Sequence, residues 1–506
     1  MKNLQKMKII IIFALVLLGL PSFAQLTFEL KGTVNNKISN TLISGSKVEL
    51  LSIDKNQMDY YQVRVKSEGK VEYIDGKQLD KIAFSPNNIK EFWQNQFIIN
   101  SVYESIMKNG MQYKIRKGLE EDVLDYINYL QNNNLFFEDS YLESYLYSIV
   151  YKIYPEKLDD GRPGILNIKI IKDIEPNAAI APNGTLFITT GLLSTINSES
   201  ELIGVLSHEI SHFVLDHSVI NINKAVQRQK RAEFWAAFAT TVAAATEVYA
   251  ASKNQYYNPG ALTMSTAVLA YSIAESVNER LGLNFSKEQE IEADKCAVEL
   301  MKYIHIDPNA LATALDKIKT YCVFTGNYIA LTGEGTHPAI EERINAIGKP
   351  SQFNDPIYDI NISFVNTFNS ILEFNNQHFS NCLNLAKRNE KANVATEDDY
   401  ILMSLVTIYM NNSDTKNHEA LEYINKAKNL KIHPTINLPK YEAIINLRLG
   451  NKNDAIINLE QYRKLIEEER LSVEKKYNQI DLSVISKYLD NEDEWAAKMI
   501  NKVHAL

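Results

Sequence analysis

The sequence predicts a multidomain, mainly α chain, with a small all-β module near its N-terminus, an α+β domain in the middle and an array of helix pairs at its C-terminus. Three observations carry this expectation. Apolar and polar residues alternate between about residues 26 and 84, and from about 87 to 154 the apolar positions recur at intervals of three and four. In the middle of the chain, two extended β-branched runs directly precede a long apolar helix. Beyond residue 355 the chain aligns with itself at an offset of 35 residues, Ala420 with Ala455 and Leu421 with Ile456. At 506 residues the chain is too long for a single core, so about three domains are expected.

Residues 1–24 have a basic start (Lys2, Lys6, Lys8), an apolar run from Ile9 to Leu20, and a small-residue exit through Ser22 and Ala24. That is the layout of a secretory signal peptide, and the run is too short for a comfortable membrane span. The protein is therefore expected to be exported, periplasmic or envelope-associated. Cleavage after Ala24 removes three lysines and no acid, which moves the formal charge from −9 to −12. An acidic chain of this kind is not expected to bind nucleic acid through its overall charge. Three cysteines, Cys296, Cys322 and Cys382, are too few for a disulfide framework, and their spacing fits no zinc knuckle or redox pair.

Residues 25–84 are expected to be the small β module. The runs around Val48, Val63 and Val71 are separated by turn signals at Glu68-Gly69-Lys70 and Asp75-Gly76, and the segment resembles an SH3-type barrel. Residues 85–164 read as helical. "ILNIKII" and "GTLFITTGLL" then read as strands that open a domain spanning 165–349. Two nearly uncharged runs, "FWAAFATTVAAATEVYAA" and "ALTMSTAVLAYSIAESV", are short and each interrupted by an acid (Glu247, Glu275), so buried or gate-like helices are expected there rather than membrane spans. In residues 355–506, "EALEYINKAKNL" and "DAIINLEQYRKL" resemble degenerate tetratricopeptide repeats, whose stacked helices present a concave surface to peptides.

The chemistry concentrates in "GVLSHEISHFVLDHS", residues 204–218. Ser198 followed by Glu201 reads as a capping box that starts this helix. His208 and His212 are four apart, so both imidazoles lie on one face, where a single divalent ion can take a nitrogen from each. Glu209 lies beside them, placed to deprotonate a water at the metal. A metzincin would need Gly at 215 and His at 218, but the residues are Leu215 and Ser218; His217 falls on another face and reads as structural. A third ligand is expected in "NFSKEQEIEADKCAVELM". There Glu290 and Asp294 are one helical turn apart, so that one carboxylate enters the metal shell and the other supports a ligating imidazole.

These blocks, together with "NAAIAPNGTLFITTGLL" (177–193), resemble the gluzincin metallopeptidases that include the CAAX prenyl endopeptidases, HtpX and BepA. The resemblance implies a zincin-type metalloprotease domain with one Zn2+ per chain. It makes His208, His212 and Glu290 the ligands, Glu209 the catalytic base and Asp294 the supporting partner. "GTHPAIEERINAI" is similar to a segment that follows the core in soluble members, with Arg343 at the matching place and His337 expected as a transition-state donor or a reversible plug. Two positions depart from the family pattern: Lys287 stands where Arg is usual, and Cys296 where Gly is usual. The implied function is hydrolysis of peptide bonds in misfolded or envelope proteins, with association at a membrane surface or in an envelope complex as the expected setting. Substrate is expected to be delivered by the repeats and to pair with 185–190 as an edge strand. The alternative is a chaperone-like or assembly scaffold whose zinc site is latent and self-plugged.

Overall fold

The computed structural model of the chain describes residues 27–53, 60–100, 111–156, 158, 164–228, 285–326, 340–411, 413–430, 436–476 and 483–505. The expected leader, both Ala-rich runs and His337 lie outside the described residues. What is described is mainly helical and divides into two compact units.

The first unit takes the described residues up to 119, with those of 154–166 and 214–223. Its antiparallel sheet has the order β4-β3-β2-β1-β5, from β1 (Thr27–Val34), β2 (Lys47–Ile53), β3 (Tyr60–Val65), β4 (Val71–Asp75) and β5 (Ile82–Phe84). Alternation places the side chains. Val48 and Leu50 of β2 face Val65 and Val63 of β3 as buried pairs, while Glu49 and Arg64 between them form an ion pair at 3.0 Å on the other face. A 3-10 helix, Gly76–Lys81, capped by the Asp75 side chain, leads from β4 to β5, which returns to pair with β1. Helix α1 (Ile89–Ile99) is capped by Asn88 and buries Phe92, Trp93 and Phe97.

The second unit takes the described residues of 120–153, 167–213 and 224 onward. Helix α2 (Met111–Asn132), which belongs to this unit from Glu120 on, and helix α3 (Ser140–Ile153) precede a three-stranded sheet of order β6-β8-β7, from β6 (Asn167–Ile171), β7 (Ala178–Ile180) and β8 (Thr185–Thr189). Residues 185–190 are therefore not an edge. β8 pairs in parallel with β6 and antiparallel with β7, all five of its residues are buried, and Thr190 already belongs to the next helix. A strand buried on both faces needs no polar alternation, and "TLFIT" has none, which is the mark of a central strand. Among the described residues the sheet edges are β6 and β7.

The chain leaves β8 into α4 (Thr190–Thr195) and then α5 (Glu199–Val214), followed by α6 (His217–Arg228). The turn after β6 is clamped to the start of α4. Thr190 Oγ1 donates to the Asp173 carbonyl at 2.9 Å, and Gly191 N donates to the same carbonyl at 2.7 Å. Gly191 has no alternative here, since a Cβ would stand 2.1 Å from the Ile174 carbonyl oxygen. Gly204 similarly lets α5 approach the backbone of Leu311 in α8 (Asn309–Thr325). Helices α7 (Lys287–Tyr303), which carries Glu290, and α9 (Ile340–Ile347) complete this part.

The remaining helices pack each against the next: α10 (Pro356–Asn361), α11 (Ser363–Asn375), α12 (Phe379–Lys391), α13 (Glu397–Met410), α14 (Asp414–Asn429), α15 (Asn437–Arg448), α16 (Lys452–Lys476) and α17 (Ser483–Ala505). The buried carboxylate of Asp399 ties three of them, accepting from Thr367 Oγ1 at 3.0 Å, Asn389 Nδ2 at 3.1 Å and the Thr396 N–H at 2.8 Å.

Replacing Gly191 by Ala forces backbone to move and is expected to lower stability by about 1–3 kcal/mol in urea unfolding; an unchanged midpoint contradicts the clamp. Asp173 is fully buried and its Oδ2 has no hydrogen-bond partner. Burial pushes its carboxyl from 3.8 up to about 8, with the charge of Glu175 adding. Across that window the folded state holds the extra proton, so this group's contribution to stability declines as pH rises. The Asp173→Asn variant should therefore gain melting temperature relative to wild type between pH 4 and pH 8; parallel pH profiles would count against it.

Candidate metal centre

Helix α5 presents two imidazoles one turn apart. The Nε2 atoms of His208 and His212 lie 3.0 Å from each other, with the rings at 79°. The third group arrives from α7, whose start is fixed by a full capping box between Ser286 and Gln289. That cap sets the phase of the first turn, from which Glu290 projects. Its Oε2 is 3.4 Å from His208 Nε2 and its Oε1 is 3.8 Å from His212 Nε2. Phe285, immediately before the cap, stacks on the His212 ring with centroids 3.7 Å apart and planes at 14°. The same phenyl belongs to an apolar cluster with Ala179 and Phe187, so the sheet and α5 share a side chain.

The donor set fits a metal. Two zinc–nitrogen bonds of about 2.0–2.1 Å at a tetrahedral angle separate the nitrogens by roughly 3.3 Å. His208, His212 and Glu290 offer ligand atoms within 4.8 Å of one another, all three side chains buried. No other such group of three occurs among the described residues. Two nitrogens and a carboxylate oxygen are also the ligand types that leave room for a fourth, open position.

Support comes from one turn further along α7. Asp294 Oδ1 is 2.8 Å from His208 Nδ1, which holds the Nδ1 proton and turns the Nε2 lone pair toward the cluster. Arg343 of α9 then ties the two carboxylates together. Its Nε and Nη2 donate to Asp294 at 2.9 and 2.8 Å, and Nη1 lies 3.0 Å from Glu290 Oε2. Burial pushes the Asp294 carboxyl up, but the Arg343 guanidinium and His208 outweigh it and hold the group at about 2. Glu209 is half-buried on α5 beside His208, and its charge is felt at Arg343.

Of the residues expected to form the site, the fold brings together His208, His212, Glu290 and Asp294, with Glu209 adjacent. His337 lies outside the described residues. His217 is buried at the start of α6 and is not part of the cluster. Ser198 Oγ accepts from Glu201 N as expected, but the Glu201 carboxylate reaches back to Asn197 N rather than to Ser198 N, and it also takes Lys317 Nζ at 2.7 Å. Of the two departures, Lys287 pairs with Glu342 at the surface, and Cys296 is buried in contact with Ser211, its thiol pushed up to about 12 by burial.

Two parts of the site were not assigned from sequence, the bridging work of Arg343 and the stacking of Phe285. A partial signal existed for Arg343, because it is the one cation within the short helix whose Ile340 and Ile344 are buried. Phe285 gave none beyond being apolar.

The profile of peptidase family M48 matches residues 144–351. The mitochondrial metalloendopeptidase OMA1 of Schizosaccharomyces pombe is 29% identical over 180 residues, 36% of this chain and 45% of that protein. The β-barrel assembly-enhancing protease of Escherichia coli K12 is 25% identical over 222 residues, 43% of this chain and 41% of that protein. A protease HtpX homolog of Methylibium petroleiphilum is 29% identical over 212 residues, 35% of this chain and 65% of that protein. The chain thus spans less than half the length of the first two relatives. The helix with the paired histidines, the helix with Glu290 and the arginine that joins the two carboxylates all fall inside residues 144–351, the segment that matches peptidase family M48.

Proposed function

We propose that the protein is an exported zinc endopeptidase that hydrolyses peptide bonds of misfolded or envelope proteins. The observation that carries the reading is the convergence of His208, His212 and Glu290 within 4.8 Å, with Glu209 on the same helix. Zinc held there would supply a Lewis acid for the scissile carbonyl and lower the pKa of a water in the site. His208, His212 and Glu290 hold it, Asp294 fixes the His208 ring, and Arg343 balances the buried carboxylates. Glu209 takes the proton from the attacking water and returns it to the leaving amine.

Substrate geometry supports the same reading in an altered form. With β8 central and the outer side of β6 already bonded to residues 135–137, the edge available is β7, Ala178–Ile180, and an extended peptide there would pair backbone to backbone. Such pairing reads chain extension more than side chains, so selectivity falls to the flanking regions. For the β module, the strand order with β5 beside β1 and a 3-10 turn before β5 supports the SH3-type assignment. For the C-terminal helices, burial repeats at the 35-residue offset in Ala420 and Ala455, Ile424 and Leu459, and Ala427 and Tyr462, which supports the tetratricopeptide-type reading. The β-barrel assembly-enhancing proteases among the relatives favour an envelope substrate.

Glu209→Gln should leave one zinc per chain, by elemental analysis, and reduce casein hydrolysis by about 10²-fold or more. Turnover at the wild-type rate would refute the base assignment. Glu290→Gln removes a charged ligand and should lower both zinc occupancy after dialysis and hydrolysis, with zinc affinity falling at least about tenfold. Full metal retention would place the third ligand elsewhere.

A further inference from the structure

The corner between α4 and α5 decides where the paired histidines stand, and it is held by residues beyond 351. Helix α4 ends at Thr195, leaving its last carbonyls without partners within the helix. Arg388 of α12 supplies them: Nη1 donates to the Ser194 carbonyl at 2.7 Å and Nη2 to the Ile196 carbonyl at 2.8 Å. One carbonyl lies in the helix and the other in the link to α5, so a single planar group spans the corner. The guanidinium is itself oriented. Its Nε donates to Asp359 Oδ1 at 2.5 Å, and it lies over the ring of Tyr358, whose hydroxyl donates to the Leu193 carbonyl at 2.8 Å. Asp355 completes the grip by accepting from Glu199 N, the first residue of α5, at 3.2 Å.

A helix is a stiff rod, rising about 1.5 Å per residue, so a tilt at residue 199 displaces residues 208–212 as a body. Glu290 sits on a different helix and does not follow. We infer that Arg388 is a positioning residue for the metal centre: by fixing the angle of the α4–α5 corner, it keeps His208, His212 and Glu209 in register with Glu290. The M48 segment is then completed by the helical array that follows it. A planar fork does this where an ammonium does not, because the two carbonyls must be held at once.

The inference rests on the peptidase reading for its activity arm, and a cobalt arm stands without it. Full-length wild type, Arg388→Ala, Arg388→Lys and the remote control Arg463→Ala are loaded with zinc for casein hydrolysis and with Co2+ for visible absorption, and each is melted by circular dichroism. Arg388→Ala is expected to lose about tenfold or more in kcat, with KM within about twofold of wild type. Its Co2+ bands should change, and Arg388→Lys should recover melting temperature without recovering kcat or the spectrum. Arg463→Ala should match wild type. Should Arg388→Ala fail to fold, Arg388→Lys and Asp359→Asn carry the comparison. A variant of Arg388 with wild-type kcat and spectrum overturns the inference, as does a loss that the Lys variant fully restores. An inactive zinc-loaded wild type whose Co2+ spectrum still depends on Arg388 sinks the peptidase reading and leaves the positioning role standing.

Discussion

Two carboxylates buried beside two buried imidazoles are the constraint on which the centre of this fold depends. Glu290 is 1% exposed and Asp294 5%. Charge removed from water to this extent is tolerated only when it is paired and hydrogen-bonded on every side. Asp294 meets that condition through His208 and the two-pronged contact from Arg343, whereas Glu290 has the charge of the third guanidinium nitrogen beside it and approaches both rings, while its Oε2 accepts no hydrogen bond, as fits a group placed to ligate a metal. The consequence is positional. Helices α5, α7 and α9 each contribute one side of the arrangement, so none can shift without exposing a charge to apolar surroundings.

The neighbouring structure is organised to hold those three helices at fixed distances. Gly204 allows the backbone of α8 to lie against α5, and Gly191 allows the turn after β6 to press on α4. A capping box starts α7 at Ser286, which places Glu290 in the first turn, where the helix macrodipole favours its negative charge. Phe285 fills the space between His212 and the apolar cluster on the sheet. The backbone on either side of the metal helix is thus fixed by groups with few alternatives: a glycine without a Cβ, a cap with two reciprocal bonds, and a guanidinium that spans two carbonyls.

How much of this was legible in the sequence depended on the range of the interaction. His208 and His212 share a face because four residues make about one helical turn, and the same arithmetic puts Glu290 and Asp294 together. Val63 and Val65 alternate with Gln62 and Arg64, so the strand could be read from its own text. The error over residues 185–190 has a physical cause. A short run of buried β-branched residues is compatible with an edge or a centre, and only the pairing of β6 from one side and β7 from the other decides which. Arg343 is likewise an ordinary cation until α9 is laid against α7.

The sequence by itself determined the local periodicities: which segments are strands or helices, which residues share a helical face, and that two histidines stand one turn apart on one helix and a glutamate and an aspartate one turn apart on another. Only the tertiary structure decided that the first turn of α7 faces α5, that β8 lies inside its sheet, and that Arg343 and Arg388 are committed to buried partners far away in the chain. The division follows from the forces involved. Backbone hydrogen bonding and side-chain periodicity act over a few residues and are written in consecutive letters, whereas compensation of buried charge and the satisfaction of helix-end carbonyls act through space, between groups whose separation along the chain carries no information about their distance.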